Sequence, residues 1–300
     1  MDNSSVRNIL SGILEKELIY ENEPMSRHTS FKVGGNAAFL VTPETEQQVV
    51  ALKKALRDIN HIVIGKGSNL LFPDEGYDGV VVELGSLFSD IKVCGNEIIA
   101  QSGALLSKIA NIAAEHGLGG FEFASGIPGS LGGAVAMNAG AYGGEMKDVV
   151  VSSRCVGESG NVLIVEDHDF SYRHSIFSDT NLVVLETVIK LQPRDVGEIR
   201  AEMLELNRRR KEKQPLEYPS AGSTFKRPEG YFAGKLIQDA GLMGYRVGGA
   251  MVSEKHAGFV INYDNATTND ILNLMDHIKS EVYMRFGVEL EPEVKIIGKE

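Results

Sequence analysis

Two glycine-dense loops constrain this chain more than anything else in its sequence. The first, Gly65-Lys66-Gly67-Ser68-Asn69, follows directly on the apolar run His61 to Ile64. The second, Gly126-Ile127-Pro128-Gly129-Ser130-Leu131-Gly132-Gly133, continues to Asn138-Ala139-Gly140. Glycine adopts backbone conformations closed to other residues and lets main-chain N–H groups converge on an anion. A strand feeding such a loop outlines a cradle for a pyrophosphate. Ser130 is placed to open a short helix with its N-terminus toward that charge. Either loop alone reads equally well as a tight turn; two in one half of the chain favour the cradle.

Neither loop is a standard nucleotide fingerprint. After Gly65 and Gly67, position 70 is leucine, so the Rossmann pattern fails. From Gly230 the spacing to Gly234-Lys235 is one residue short of a Walker A loop, and Leu236 lacks the hydroxyl that would bind magnesium. A dinucleotide site here is therefore of another type.

A chain of 300 residues is long enough for about two domains and a core that needs no staples. Cys94 and Cys155 stand in no CxxC or Cys/His cluster, which predicts free thiols in a reducing compartment and no metal. Met1 to Tyr20 mixes Asp2, Glu15 and Glu17 with apolar residues and reads as an amphipathic helix, not a signal peptide. No window approaches the roughly 18 apolar residues of a membrane span, so a cytoplasmic protein without membrane insertion is expected. The net charge of −11 argues against nucleic acid as a partner. Yet Arg208 to Lys255 carries ten Lys and Arg against five Asp and Glu. Such a segment either holds an anionic ligand or is a solvated helix end.

The patterning predicts a strand over Phe31–Val41, a helix over Glu44–Asp58 and the strand His61–Ile64. Short strands follow at Val80–Val82, Ile91–Cys94 and Glu97–Ala100, then a helix over Leu105–His116. A hairpin over Val149–Val156 and Asn161–Val165 and a β-rich run at Leu182–Leu191 come next. Pro193–Lys213 reads as a charged helix, broken by Pro215 and Pro219. A last domain begins there. It has a helix at Phe232–Asp239, strands near Val247 and Phe259, and a helix with Ile271, Leu274, Met275, Ile278 and Val282 on one stripe, stopped by Gly287. A final strand is expected at Val294–Ile297. Helices and strands mix without strict alternation, so the fold class is α+β.

Seven segments in order carry a resemblance. They are Arg27 to Gly35 (RHTSFKVGG), Gly65 to Leu70, Gly126 to Gly140, Ser171-Tyr172-Arg173, Lys213-Gln214-Pro215, Ala221-Gly222-Ser223-Thr224-Phe225-Lys226, and Glu291-Pro292-Glu293-Val294-Lys295. Together they resemble the UDP-N-acetylenolpyruvoylglucosamine reductase (MurB) family over nearly the whole chain. The compact stretch between Arg173 and Pro215, without a long tyrosine-bearing insertion, looks like its shorter, type II branch. The resemblance implies a vanillyl-alcohol-oxidase-like (PCMH-type) FAD-binding fold in two subdomains, residues 1–80 and 81–213, with a substrate-binding domain over 214–300. It implies FAD held by Gly65, Lys66, Gly67, Ser68, Asn69 and by Gly126, Ile127, Pro128, Gly129, Ser130, with Asn138, Ala139 and Gly140 lining the flavin. It implies Arg173, Ser223 and Glu293 as catalytic residues and Lys213, Lys226 and Arg227 as substrate contacts.

The implied reaction uses NADPH to reduce the enolpyruvyl ether of UDP-N-acetylglucosamine enolpyruvate in peptidoglycan synthesis. Charge develops beside a carboxylate, which suits the fixed fork of Arg173. A serine aimed at the product carbon can supply the proton. Taken singly, Ser223 would be a turn serine, Arg173 a surface arginine and Glu293 a solvated acid; the motif series reverses those odds. It does not do so for His28, where covalent flavin attachment is disfavoured. Loss of one of the three residues would favour a non-catalytic binding module of the same fold; all three are present. The match to the Gly222-Ser223-Thr224-Phe225-Lys226 element disfavours an oxygen-using oxidase. No obligate protein partner is evident.

Overall fold

The computed structural model describes residues 2–298. Met1 and the pair Lys299–Glu300, the outer ends of the expected N-terminal helix and C-terminal domain, lie outside the described residues. The chain forms two compact units. One comprises the residues up to Glu21 with Ala38–Lys66 and Gly79–Arg209; the other comprises Asn22–Ala37, Gly67–Asp78 and the residues from Arg210 on. The polypeptide thus passes between units five times.

The first unit opens with the helix Asn3–Ser11, capped by Asp2, whose carboxylate accepts the Ser5 N–H at 2.9 Å. The expected helix through Tyr20 stops early because Gly12 ends it. The apolar spacing continues regardless: Leu14 and Leu18 are buried from turns. A four-stranded sheet has the order Ile19–Pro24, Asn36–Val41, Tyr77–Glu83, His61–Ile64. Its last two strands are parallel, His61 opposite Val80 through Ile64 opposite Glu83. The helix Glu46–Ala55 connects Asn36–Val41 to His61–Ile64 and is opened by a reciprocal capping box between Thr45 and Gln48. It buries Val49 and Leu52 with Phe39, Val80 and Val82.

A five-stranded antiparallel sheet follows, in the order Val162–Val165, Val150–Val156, Val183–Lys190, Glu97–Gln101, Ile91–Cys94. The helices Leu106–Glu115 and Leu131–Ala136 bury Ile109, Ala113, Leu131 and Val135 together with Ile98, Ala100 and Ile189 of this sheet. Ile199 and Met203 of the helix Val196–Lys213 join the same core.

The second unit is built around the 19-residue helix Thr268–Phe286. Thr267 and Asp270 cap it reciprocally, and Gly287, left-handed at φ 66°, ends it. Its buried stripe is Ile271, Leu274, Met275, Ile278 and Val282, each contributing about 1.5–3 kcal/mol by leaving water. The stripe shares a core with Ala250, Val252 and Val260 of a small three-stranded sheet and with Phe31, Val33 and Leu71 from the earlier segments. Lys295–Ile296 pairs in parallel with Leu70–Leu71.

The strand expected over Phe31–Val41 is present only at Asn36–Val41. Lys32 is left-handed at φ 56° and Gly34 at φ 112°, so the backbone cannot stay extended through them. The one apolar run therefore feeds two cores: Phe31 and Val33 pack in the second unit, Phe39 and Val41 in the first.

Candidate active site

In the first unit, the strand His61–Ile64 delivers Gly65 and Lys66 against the second glycine loop. A Cβ at Gly65 would stand 2.1 Å from Ser130 Oγ, so only glycine fits. The Lys66 N–H donates to that same hydroxyl at 3.3 Å. Ser130, 3% exposed, is a pin between the two loops. It precedes the helix Leu131–Ala136 without a side-chain cap bond. The first two amides of this helix, Leu131 and Gly132, donate to the Ala104 and Ser102 carbonyls at 2.9 and 2.8 Å. That part of the helix N-terminus is engaged by protein, where the sequence led us to expect it to face a phosphate. Lys66 and Pro128 are exposed, and Gly65, Gly126, Ile127 and Gly129 are half-buried. The Gly129 N–H donates to the Ile127 carbonyl at 2.9 Å; main chain without a Cβ at Gly65 and Gly126, beside the Lys66 ammonium, is a donor set that fits the pyrophosphate of FAD.

The same helix links this loop to the segment that bears Arg173. The Ala136 carbonyl accepts Ser175 Oγ at 2.7 Å and Ser178 Oγ at 3.1 Å. Asn138, fully buried and left-handed at φ 43°, donates through Nδ2 to the Ser171 carbonyl at 2.9 Å and to Glu145 Oε2 at 3.0 Å. Its Oδ1 accepts the Lys147 N–H at 3.0 Å. Arg173 sits in a tight turn closed by Ser171 and His174, whose backbone bonds are 3.1 and 3.3 Å. Its φ of 57° is a conformation that costs a non-glycine residue about 1–3 kcal/mol. Its guanidinium lies 5.0 Å from the Tyr172 ring centroid and approaches the Gly140 carbonyl at 3.5 Å. Lys147, bonded at 2.9 Å, holds the Glu145 carboxyl below the usual range, with Asn138 and Arg173 acting the same way against partial burial. Ala139 is buried and Gly140 half-buried in this turn.

In the second unit, Gly67 is left-handed at φ 63°, and a Cβ there would lie 1.9 Å from the His28 carbonyl oxygen. The Gly67 carbonyl accepts the Ser30 N–H at 3.1 Å. Ser68 is half-buried. Asn69 Nδ2 donates to the Glu293 carbonyl at 3.0 Å, and the Lys295 N–H donates to the Asn69 carbonyl at 3.0 Å. Ser223 and Glu293 lie on adjacent segments. The Glu293 N–H donates to the Thr224 carbonyl at 2.9 Å, the Lys226 N–H to the Glu291 carbonyl at 2.8 Å, and Phe225 bridges Pro292. Thr224 is fully buried; its N–H donates to the Gly258 carbonyl at 2.9 Å and its Oγ1 accepts the Val260 N–H at 2.9 Å. Gly222, at φ 78° with open space where a Cβ would be, turns the chain so that Ser223 is exposed.

The substrate contacts expected from the basic segment divide. Lys226 pairs with Glu291, and Arg227 stacks over Phe232 at 3.9 Å while donating to the Tyr231 carbonyl at 3.2 Å. Lys213 is the exposed last residue of its helix. Much of the remaining positive charge is paired locally: Arg208 and Arg209 with Glu205, Lys235 with Asp239, Lys255 with Glu217. An open cleft of about 490 Å³, lined by Arg57, Glu158, Ser159, Thr180 and Asn181, contains none of the expected site residues. Sequence reasoning missed Thr224 and Glu145. Thr224 lay inside the motif, but only the fold shows that its carbonyl holds the Glu293 segment while its N–H and hydroxyl hold Gly258 and Val260. Glu145 is one acid among many until Asn138 and Lys147 converge on it.

Residues 214–297 match the family model of the UDP-N-acetylenolpyruvoylglucosamine reductase C-terminal domain, and residues 37–166 match that of an FAD binding domain. The chain is 55% identical over 294 residues to a UDP-N-acetylenolpyruvoylglucosamine reductase of Caldanaerobacter subterraneus subsp. tengcongensis, covering 97% of each. It is 50% identical to one of Clostridioides difficile, covering 100% of each. The crystal structure of such a reductase from Thermus caldophilus superposes with a TM-score of 0.80 at 36% identity, over 91% of this chain and 97% of that one. A 4-ethylphenol oxidase from Gulosibacter chungangensis, 14% identical, shares the fold alone, with a TM-score of 0.50 over 64% of this chain and 44% of that one. The architecture is α+β with a vanillyl-alcohol-oxidase-like FAD-binding fold, and the chain belongs to the UDP-N-acetylenolpyruvoylglucosamine reductase family.

Proposed function

We propose that this chain reduces the enolpyruvyl ether of UDP-N-acetylglucosamine enolpyruvate to the lactyl ether of UDP-N-acetylmuramate, a step of peptidoglycan synthesis. The observation that carries this is the pairing of the Ser223 segment with the Glu293 segment, through the Glu293 N–H and the Thr224 carbonyl at 2.9 Å, in a chain of this family. FAD, reduced by NADPH, supplies the hydride chemistry when bound. We assign it to Gly65, Lys66, Gly67, Ser68 and Asn69, to Gly126 through Ser130, and to Ala139 and Gly140; the Asn138 side chain, expected there from the sequence, is engaged by protein. Lys213, Lys226 and Arg227 are assigned to the nucleotide sugar, and Lys213 also to NADPH, since both ligands bring phosphates. Both are small molecules of the cytoplasm, and we place the protein there. No membrane-crossing helix occurs among the described residues.

Each catalytic side chain has a role that its chemistry supports. Arg173 is always charged and presents parallel donors that match a carboxylate, so it stabilises the negative charge that develops beside it. Ser223 Oγ–H delivers the proton that completes the lactyl carbon, a transfer that a positioned weak acid can make to a strongly basic carbon. Glu293 serves the same developing charge, by donating a hydrogen bond if it is protonated or by orienting a neighbouring donor.

Anaerobic stopped-flow measurement of the two half-reactions tests this. NADPH is expected to bleach the flavin, and the enolpyruvyl substrate to restore its absorbance. Ser223→Ala is expected to bleach normally but to return absorbance about 10²–10⁴-fold more slowly, because only the second half needs a proton from serine. A colourless wild type that takes up no FAD overturns the function. Equal slowing of both halves overturns the role of Ser223.

A further inference from the structure

We propose that Asn138 is a positioning residue for Arg173: its side-chain amide, anchored on Glu145, holds the Ser171 carbonyl and so fixes the turn from which Arg173 projects. The inference rests on the catalytic role given to Arg173 above. It departs from the expectation that Asn138 lines the flavin.

An asparagine side chain offers two N–H donors and one carbonyl acceptor. Here both donors are taken by protein, at 2.9 Å by the Ser171 carbonyl and at 3.0 Å by Glu145 Oε2. The acceptor is taken by the Lys147 N–H at 3.0 Å. The residue is fully buried. A side chain so engaged has no donor left for a cofactor. The far end of its longest-range bond is Ser171, two residues before Arg173 and one rung of the Ser171–His174 bridge. That turn needs an outside clamp, because Arg173 holds a left-handed backbone that an arginine does not adopt unaided. Glu145 completes the device. Lys147, bonded to it at 2.9 Å, keeps it ionised, and its charge faces both the Asn138 amide and Arg173.

The φ of Asn138 is 43°, which glycine and aspartate tolerate as asparagine does. Two replacements therefore remove the amide and spare the backbone. Asn138→Gly deletes the side chain. Asn138→Asp keeps the shape and the acceptor for Lys147 but turns the donor into a second carboxylate oxygen, facing Glu145 and the Ser171 carbonyl.

Three measurements decide the matter. In FAD titrations, both variants are expected to bind with affinity within about threefold of wild type; loss of an order of magnitude or more makes Asn138 a cofactor ligand and overturns the proposal. In stopped flow, reoxidation by the enolpyruvyl substrate should slow about 10²-fold, the loss typical of a misplaced charge-stabilising donor. Added to Arg173→Ala, however, Asn138→Gly should slow it by no more than about threefold further. A full, independent loss in the Arg173→Ala background shows that Asn138 does not act through Arg173. In the protein without cofactor or substrate, amide exchange at His174 and its neighbours should accelerate about tenfold or more, while Val183–Lys190 keeps its protection. Unchanged exchange at the turn, or equal loosening of both segments, overturns the proposal. A wild type that fails to turn over the substrate defeats the catalytic reading, and the exchange result still stands on its own. Should Asn138→Gly fail to fold, Asn138→Asp carries the same three tests.

Discussion

Thr224 and His168 show how single buried polar residues hold the segments that carry Ser223, Glu293 and Arg173. Thr224 spends its N–H, carbonyl and hydroxyl on Gly258, Glu293 and Val260 at 2.9 Å each, so neither Ser223 nor Glu293 can shift alone. His168, 3% exposed, shares a short chain with Ser153 at 2.9 Å and Thr187, and its ring stacks on Phe170 at 4.8 Å. Its backbone carbonyl takes the Ile176 N–H at 2.8 Å, closing the segment that contains Arg173. Burial holds this imidazole below its ordinary 6.5, against smaller opposing pulls from the Glu166 carbonyl and Asp167. His256 in the second unit is lowered by burial too. The unfolded chain therefore accepts protons near 6.5 that the folded chain refuses. These groups leave stability untouched above that pH and remove it as pH falls through 6.5, until the folded imidazoles protonate as well. Urea titrations at about pH 7.5 and about pH 5.5 should show the acid loss. His168→Gln should shrink it, and His168→Gln with His256→Gln should shrink it further. An unchanged acid loss in the double variant would trace it to other groups.

At the scale of elements, the loops matter for where their glycines are, more than for how many there are. Gly67 and Gly95 share a φ of 63°, yet a Cβ at Gly67 meets the His28 carbonyl at 1.9 Å while a Cβ at Gly95 meets nothing within 4 Å. Gly95→Ala should cost about 1 kcal/mol, the price of the left-handed backbone alone. Gly67→Ala should cost at least about 2 kcal/mol and weaken FAD binding with it, because His28 must move. Equal losses in chemical denaturation would show that the close approach does not matter. The helix Thr268–Phe286 was legible in the sequence because one stripe of five residues faces one core and a glycine stops it. The hairpin at Gly95 was legible because apolar alternation flanks a tight-turn pair. Phe31–Gly35 was not, because alternation says which residues are buried but not in which core, and Lys32 carries no sequence mark of its left-handed backbone. The candidate site was legible only as a set of proposals carried by the order of its motifs. Its bracing by Asn138, Ser130 and Thr224 was not, since buried hydrogen-bond partners lie 33 to 69 positions away in sequence.

At the scale of the whole molecule, the second unit is assembled from three stretches of chain, and its core needs Phe31, Val33 and Leu71 as well as the C-terminal helix. A fragment of residues 210–300 lacks those three side chains and the strand Leu70–Leu71 that pairs with Lys295–Ile296. Alone it should show no cooperative unfolding transition, although the family model begins at residue 214. A sharp thermal or urea transition for that fragment would refute this. The interleaving also sets a clock. On the ribosome, at about 5–20 residues per second, residues 22–37 and 67–78 emerge many seconds before the helix that covers their apolar side chains. For that whole interval the nascent chain lacks the native core partners that the C-terminal helix supplies to Phe31, Val33 and Leu71.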